Sequence, residues 1–145
     1  MSVSVQEQDF DVGSEIAALT AGTTEVGAVA SFVGCVRGGE VAAMTLEHYP
    51  GMTEKALAAI VEEARGRWPL LAVRVIHRIG RLLPGDRIVF VAVSSSHRQA
   101  AFAACEFIMD YLKTRAPFWK LEETPTDRRW VDAREADDAA AQRWR

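Results

Sequence analysis

The hydrophobic positions of this chain change period several times, and each change marks an element. Ser2 to Gln6 alternates polar and apolar residues, as an edge strand does. Val12 to Leu19 reads as a short helix with Ser14 as its cap. Gly27 to Val36 (GAVASFVGCV) is a strand of small and β-branched residues, and Gly27 and Gly34 mark a close backbone approach or a bulge. After the turn Arg37-Gly38-Gly39-Glu40 comes a second strand, Ala43 to Tyr49, able to pair with the first as a hairpin. Pro50-Gly51 breaks it. Met52 to Trp68 is an amphipathic helix with Met52, Ala56, Ile60, Ala64 and Trp68 on one stripe, ended by Pro69. Leu71 to Ile79 is a strand, residues 83–86 (LPGD) a turn, and Arg87 to Ser94 a near-continuous apolar run that marks a central strand.

The stretch from Ser94 to Glu122 organises the rest. Ser96 followed three residues later by Gln99 reads as a capping box. The helix it opens has an apolar stripe of Ala101, Cys105, Ile108 and Leu112, with Phe102 and Met109 beside it. Pro117 stops it, and Phe118, Trp119 and Leu121 suit a short extended segment. Trp130 and Val131 form a last short strand, and Arg134 to Trp144 a C-terminal helix. Helices interrupting a mixed, partly antiparallel sheet make an α+β fold in two layers.

The ionisable residues of this stretch are unevenly placed. His97 and Arg98 sit at the helix start, where unpaired amides and the helix dipole favour an anion. Two cations there oppose the dipole unless an anion is bound. Lys113 lies in the last turns and Lys120 just past the break. His97 and Lys113 are about 24 Å apart along a straight helix, too far for one small ligand. Either one end alone is functional, or two copies pack so that the start of one helix meets the end of the other.

Composition narrows the class. The 145 residues suit one domain spanning 1–145, and 49% hydrophobic with 26% charged residues is the balance of an ordinary soluble protein. The net charge of -3 argues against general nucleic-acid binding. No apolar run approaches 18 residues, and the start lacks a signal-peptide pattern, so no membrane role and a cytoplasmic location are expected. Two distant cysteines, Cys35 and Cys105, read as free thiols, and three isolated histidines give no metal-ligand spacing. No cofactor is expected. The absence of GxxxxGK[ST] and GxGxxG elements speaks against nucleotide use.

Several motifs in order carry a resemblance. They are LEHYPGM (46–52), VIHRIG (75–80), PGD (84–86), SHR (96–98) and KTRAPFWK (113–120). From about Gly27 to Trp144 the chain resembles the large, catalytic subunits of molybdopterin synthase, the MoaE family. The resemblance implies an α/β-hammerhead-like fold that forms a homodimer. It implies a sulfurtransferase of molybdenum cofactor biosynthesis, converting cyclic pyranopterin monophosphate to molybdopterin. The sulfur would come from the C-terminal glycine thiocarboxylate of a small ubiquitin-like subunit, in a heterotetramer built on the large-subunit dimer.

By this resemblance Lys113 and Lys120 match the catalytic lysines. Thiocarboxylate chemistry needs cations to hold a carboxylate and a developing oxyanion, and ammonium groups supply both charge and protons. Cys35, Val36 and Arg37, His97 and Arg98, and Leu121 and Glu122 match substrate-binding positions. A guanidinium pairs bidentately with phosphate, and Glu122 is placed to orient Lys120 or meet the pterin edge. Phe32 and Met109 are candidates for apolar wall or core. His48 and His77 read as hydrogen-bonded structural histidines, and Trp68 and Trp119 as core. Two features depart from the pattern. Cys35 stands where many members have lysine, and the turn from Gly38 to Val41 is shorter than usual.

Overall fold

The computed structural model describes residues 2–131 and 135–145, with the side chains of residues 135 and 136 outside the description. The strands form two four-stranded sheets. In the first, β1 (Val3–Gln6), β4 (Ala72–Arg78), β6 (Arg87–Ser95) and β2 (Ala28–Cys35) lie in that spatial order. β1 runs parallel to β4, and β4 and β2 run antiparallel to β6. The second sheet has the order β5 (Gly80–Leu82), β3 (Ala43–His48), β7 (Phe118–Glu123) and β8 (Arg128–Val131), all antiparallel.

The expected central strand is β6, buried from Val89 to Ser95 with a neighbour on each side. Its two faces feed two cores. Val89, Val91 and Val93 pack under α2 (Met52–Arg67) and α3 (Arg98–Arg115) together with Leu57, Ile60, Phe107 and Tyr111. On the opposite face Phe90 and Ala92 meet Leu19 of α1 (Val12–Thr20) and Phe10, just before that helix. A run of alternating large and small apolar residues can serve both faces only from the middle of a sheet. The last helix is α4 (Glu135–Gln142). The expected helix start at Arg134 lies outside the described residues.

Several local expectations need correction. β2 and β3 do not form a hairpin, because β2 is taken by β6 over its whole length. Val36 then bonds to the 83–86 turn in both directions, through its amide to Asp86 O and its carbonyl to Gly85 N, at 2.8 Å each. The 37–42 segment therefore carries the chain from one sheet to the other. The cap of α1 is Asp11, whose carboxylate accepts the Ser14 amide at 2.9 Å. Ser96 makes no capping box. The N-cap of α3 is His97, without a side-chain cap bond, because β6 continues through Ser95. Glu54 instead caps the start of α2 one way, its carboxylate accepting the Gly51 amide at 3.0 Å. The stripe of α2 is rotated from the expected one, with Thr53, Leu57 and Val61 buried and Met52 exposed. Phe102, expected beside the buried stripe of α3, points outward at 66% exposure.

Both strand glycines behave as expected. A Cβ on Gly27 would sit 2.0 Å from Ser96 O, so the start of β2 passes directly against the end of β6. The register shifts between Gly34 and Cys35, which is the bulge.

Candidate functional site

A cleft of about 680 Å³ opens where the end of α3 meets the second sheet. One wall is the outer half of β2 with the following turn, from Phe32 to Gly38. The other is β7, with Met44 and Leu46 of β3 behind it. Lys113 enters from the last turn of α3, exposed. Lys120 enters from β7, half-buried. The two lysines thus belong to different sheets' packing layers, and a short link, residues 116–117, joins their carriers.

That link is fixed from two sides. Thr53, fully buried in the first turn of α2, donates its hydroxyl to Pro117 O at 2.9 Å and accepts the Tyr49 amide at 2.9 Å. Next along the chain, Phe118 stacks on His77 of β4, with centroids 3.8 Å apart and planes 18° apart. One hydrogen-bonded hydroxyl and one ring stack therefore set β7 against β4 and α2. Thr53→Val keeps the shape but takes the hydroxyl partner from the Tyr49 N–H and the part-buried Pro117 C=O. It should lower unfolding free energy by about 2 kcal/mol, read as a reduced urea midpoint with unchanged slope.

His77 also lines the cleft. It is 5% exposed, and its Nδ1 lies 2.8 Å from Arg78 O. A carbonyl only accepts, so Nδ1 carries the hydrogen and Nε2 holds the lone pair. Burial lowers its pKa to about 4. The bond to Arg78 O opposes that shift, and the charges of Lys113, Lys120 and His48 add to it. The imidazole is therefore neutral at pH 7.

Above about pH 6.5 neither folded nor unfolded chain protonates this ring. As pH falls from 6.5 toward 4 only the unfolded chain takes the proton, so the ring's contribution turns against folding over that window. The loss amounts to about 3 kcal/mol by pH 4. His77→Phe should abolish it, so the stability of that variant relative to wild type should rise across the same window in parallel denaturant titrations.

The cleft gathers most, not all, of the residues singled out from sequence. Cys35, Arg37, Lys113, Lys120 and Glu122 line it, as do Phe32 and Trp119. Trp119 is 48% exposed rather than core, because no helix packs broadly on the second sheet. Val36 does not reach the cleft. Its side chain is buried with Met44, Leu46 and Leu82, and its amide and carbonyl are both used. Leu121 is half-buried and pairs with Thr45 and Trp130. Met109 packs on the main core. His97 and Arg98 are exposed at the opposite end of the 18-residue α3, about 24 Å from Lys113. His48 is half-buried and makes no side-chain hydrogen bond among the described residues, contrary to expectation. Trp68 packs edge-on against Phe107 as core.

One wall was not read from sequence. α4 contributes Asp137 to the lining. The helix is held there by Trp144, which packs edge-on against Trp68 and Phe107 and donates to Asp110 at 2.6 Å. Arg143 bridges Glu106 and Asp110 alongside. Among the described residues no group of three or more His, Cys, Asp or Glu could hold a metal ion. No helix among them is long and apolar enough to cross a membrane.

Comparison with known proteins decides the family. The sequence model of the MoaE protein matches residues 5–115. The chain belongs to the MoaE family. It is 63% identical over 146 residues to the molybdopterin synthase catalytic subunit of Escherichia coli (strain K12), covering 98% of this chain and 97% of the relative. The solved molybdopterin biosynthesis MoaE protein from Burkholderia ambifaria MC40-6 is similar with TM-score 0.87 and 61% identity, covering 99% of this chain and 97% of that one. The same fold at 19% identity and TM-score 0.78 occurs in a protein-protein complex of subunits 1 and 2 of molybdopterin-converting factor from Helicobacter pylori 26695, covering 92% of each chain. The α+β expectation, with its mixed sheet, agrees with these MoaE structures.

Proposed function

We propose that this chain is the sulfur-transferring catalytic subunit of a molybdopterin synthase, working in the cytoplasm as a single large-subunit domain over residues 1–145. The substrate is cyclic pyranopterin monophosphate. The sulfur donor is the C-terminal thiocarboxylate of a small ubiquitin-like subunit. The observation that carries this reading is the meeting of Lys113 and Lys120 in one cleft, from separate elements, in a chain of this family. A cleft between β2 and β7 suits an extended tail. Its apolar wall of Phe32, Met44 and Leu46 suits the body of a ligand.

In this reading the two ammoniums hold the tail's thiocarboxylate and the oxyanion that develops as its carbonyl is attacked. In each transfer the donor sulfur bonds to a side-chain carbon of the pterin as an oxygen substituent departs from that carbon, which joins donor and substrate as a thioester. Water then adds to the thioester carbonyl, breaks the donor's carbon–sulfur bond and releases the donor tail as a carboxylate. Arg37 at the cleft rim pairs with phosphate, and Glu122 orients Lys120. The Helicobacter pylori complex of two subunits supports a small-subunit partner for this chain as well.

The distance to His97 and Arg98 supports a homodimer with a shared site. β2 is an edge strand of eight residues with Phe32 exposed on it. Ala28 at its start pairs with Ser95, two residues before His97. Cys35 at its end lines the cleft. If two copies pair antiparallel along β2, the start of one strand faces the end of the other. His97 and Arg98 of one copy then approach the cleft of its partner. In that arrangement they add donors to the phosphate that Arg37 pairs with.

The reading is tested by reconstitution. The protein is mixed with thiocarboxylated small subunit and cyclic pyranopterin monophosphate, and dithiolene product is assayed. A stable complex with the small subunit that makes no product would point to a non-catalytic scaffold instead.

A further inference from the structure

His77 does more than hold the fold. Its ring lines the cleft, is stacked on Phe118 and has Nδ1 committed to Arg78 O. Nε2 has no protein partner among the described residues. Among them Ser94 Oγ is the one buried side-chain polar atom that is both enclosed and unpartnered. Nε2 is therefore not sealed in, and it opens on the cleft that the ring lines. The rest of the polar lining is charged: Lys113, Lys120 and Arg37 donate, and Glu122 and Asp137 are carboxylates. A neutral acceptor fixed in a buried wall is a different kind of group. It is held by ring stacking and a backbone bond, so it costs little ordering when a ligand arrives.

We infer that His77 Nε2 is a recognition acceptor for this cleft, taking a hydrogen bond from a polarised N–H or O–H of the bound substrate's heterocycle. The inference rests on the pterin reading given above and adds how the site distinguishes the ring from a bare anion. A cyclic phosphate diester and a thiocarboxylate at neutral pH present only acceptors and gain nothing from a lone pair. A pterin ring carries N–H groups along its edge and does. Burial, with the charges of Lys113 and Lys120 adding to it, keeps the ring nitrogen unprotonated, so the acceptor persists down to about pH 5.

The test is binding of cyclic pyranopterin monophosphate by calorimetry, with dimethyl phosphate, a phosphate diester without an O–H, as the anion probe. Wild type, His77→Phe and His77→Gln are compared. The phenylalanine keeps the stack on Phe118 and removes the acceptor. The glutamine keeps an amide acceptor near the Nε2 position. Pterin affinity should fall about tenfold or more in His77→Phe and recover in part in His77→Gln, while dimethyl phosphate affinity stays unchanged in both. In the unmodified protein labelled with 15N-histidine, the Nε2 resonance should move upfield on pterin addition and stay in place with dimethyl phosphate. That second readout holds whether or not either variant folds. A His77→Phe protein that binds pterin as wild type does, or an Nε2 resonance unmoved at saturation, overturns the inference. A wild-type protein that binds no pterin overturns the functional reading beneath it, which is a separate outcome.

Discussion

Lys113→Ala and Lys120→Ala should each lower dithiolene formation by on the order of 10²–10³-fold, with stability close to wild type. Lys113 is exposed at the end of a helix, and Lys120 is half-buried in a strand whose backbone pairing stays intact. Neither deletion opens a core cavity, so the loss should fall on the reaction rather than on the fold. Oxyanion donors are worth more in a cleft than in water because they are already oriented when charge develops. The two losses should not multiply. If both ammoniums hold one anion, the double variant should be only slightly worse than either single one. Single-turnover assays with a preformed small-subunit complex read the chemical step directly. Product formation that survives both substitutions would move the chemistry elsewhere, and Cys35 in the same cleft would be examined next.

The second large effect is rescue by mixing. A Lys113→Ala chain and a chain carrying both His97→Ala and Arg98→Ala should each be nearly inactive as homodimers. Mixed after dissociation and reassociation in equal amounts, half the dimers pair one chain of each kind. Each such dimer contains one site with all its residues and one that lacks both sets. About a quarter of wild-type activity should return. If His97, Arg98 and Lys113 served one chain's own site, no mixture would recover anything. The result therefore separates a shared site from a local one without a dimer structure. The geometric ground for expecting rescue is the length of α3, which no side-chain rotation can bridge.

Much of this architecture is legible in the sequence where one local signal dominates. The unbroken apolar run of β6 announces a central strand, and Pro69 and Pro117 end α2 and α3 close to where the chain departs. Gly27 and Gly34 were readable because only a missing Cβ permits their contacts. Strand pairing was not legible, since β2 and β3 are adjacent in sequence and equally strand-like. What separates them is the demand of β6 for a second neighbour. The faces of α2 shifted because a polar residue, Thr53, took the most buried position of its turn to bond a strand link 64 residues away. In the cleft, the resemblance placed Lys113 and Lys120, while His77 passed as structural. Its two ring nitrogens have different fates, and that follows from Phe118 and Arg78 O, neither of which a strand pattern predicts.

The link between Thr53, Pro117, His77 and Phe118 bears on how this chain can vary over time. Two of the motifs that mark the lineage, residues 46–52 and 75–80, contain no lysine, and apart from His77 no polar side chain that lines the cleft. They contain the turn whose amide reaches Thr53, and the histidine that meets Phe118. A change in either run alters the separation of two charges carried elsewhere. Selection for turnover would therefore act on Tyr49, Thr53 and His77 as it does on the lysines. Drift at one of these positions would be tolerated chiefly alongside a compensating change at 117 or 118.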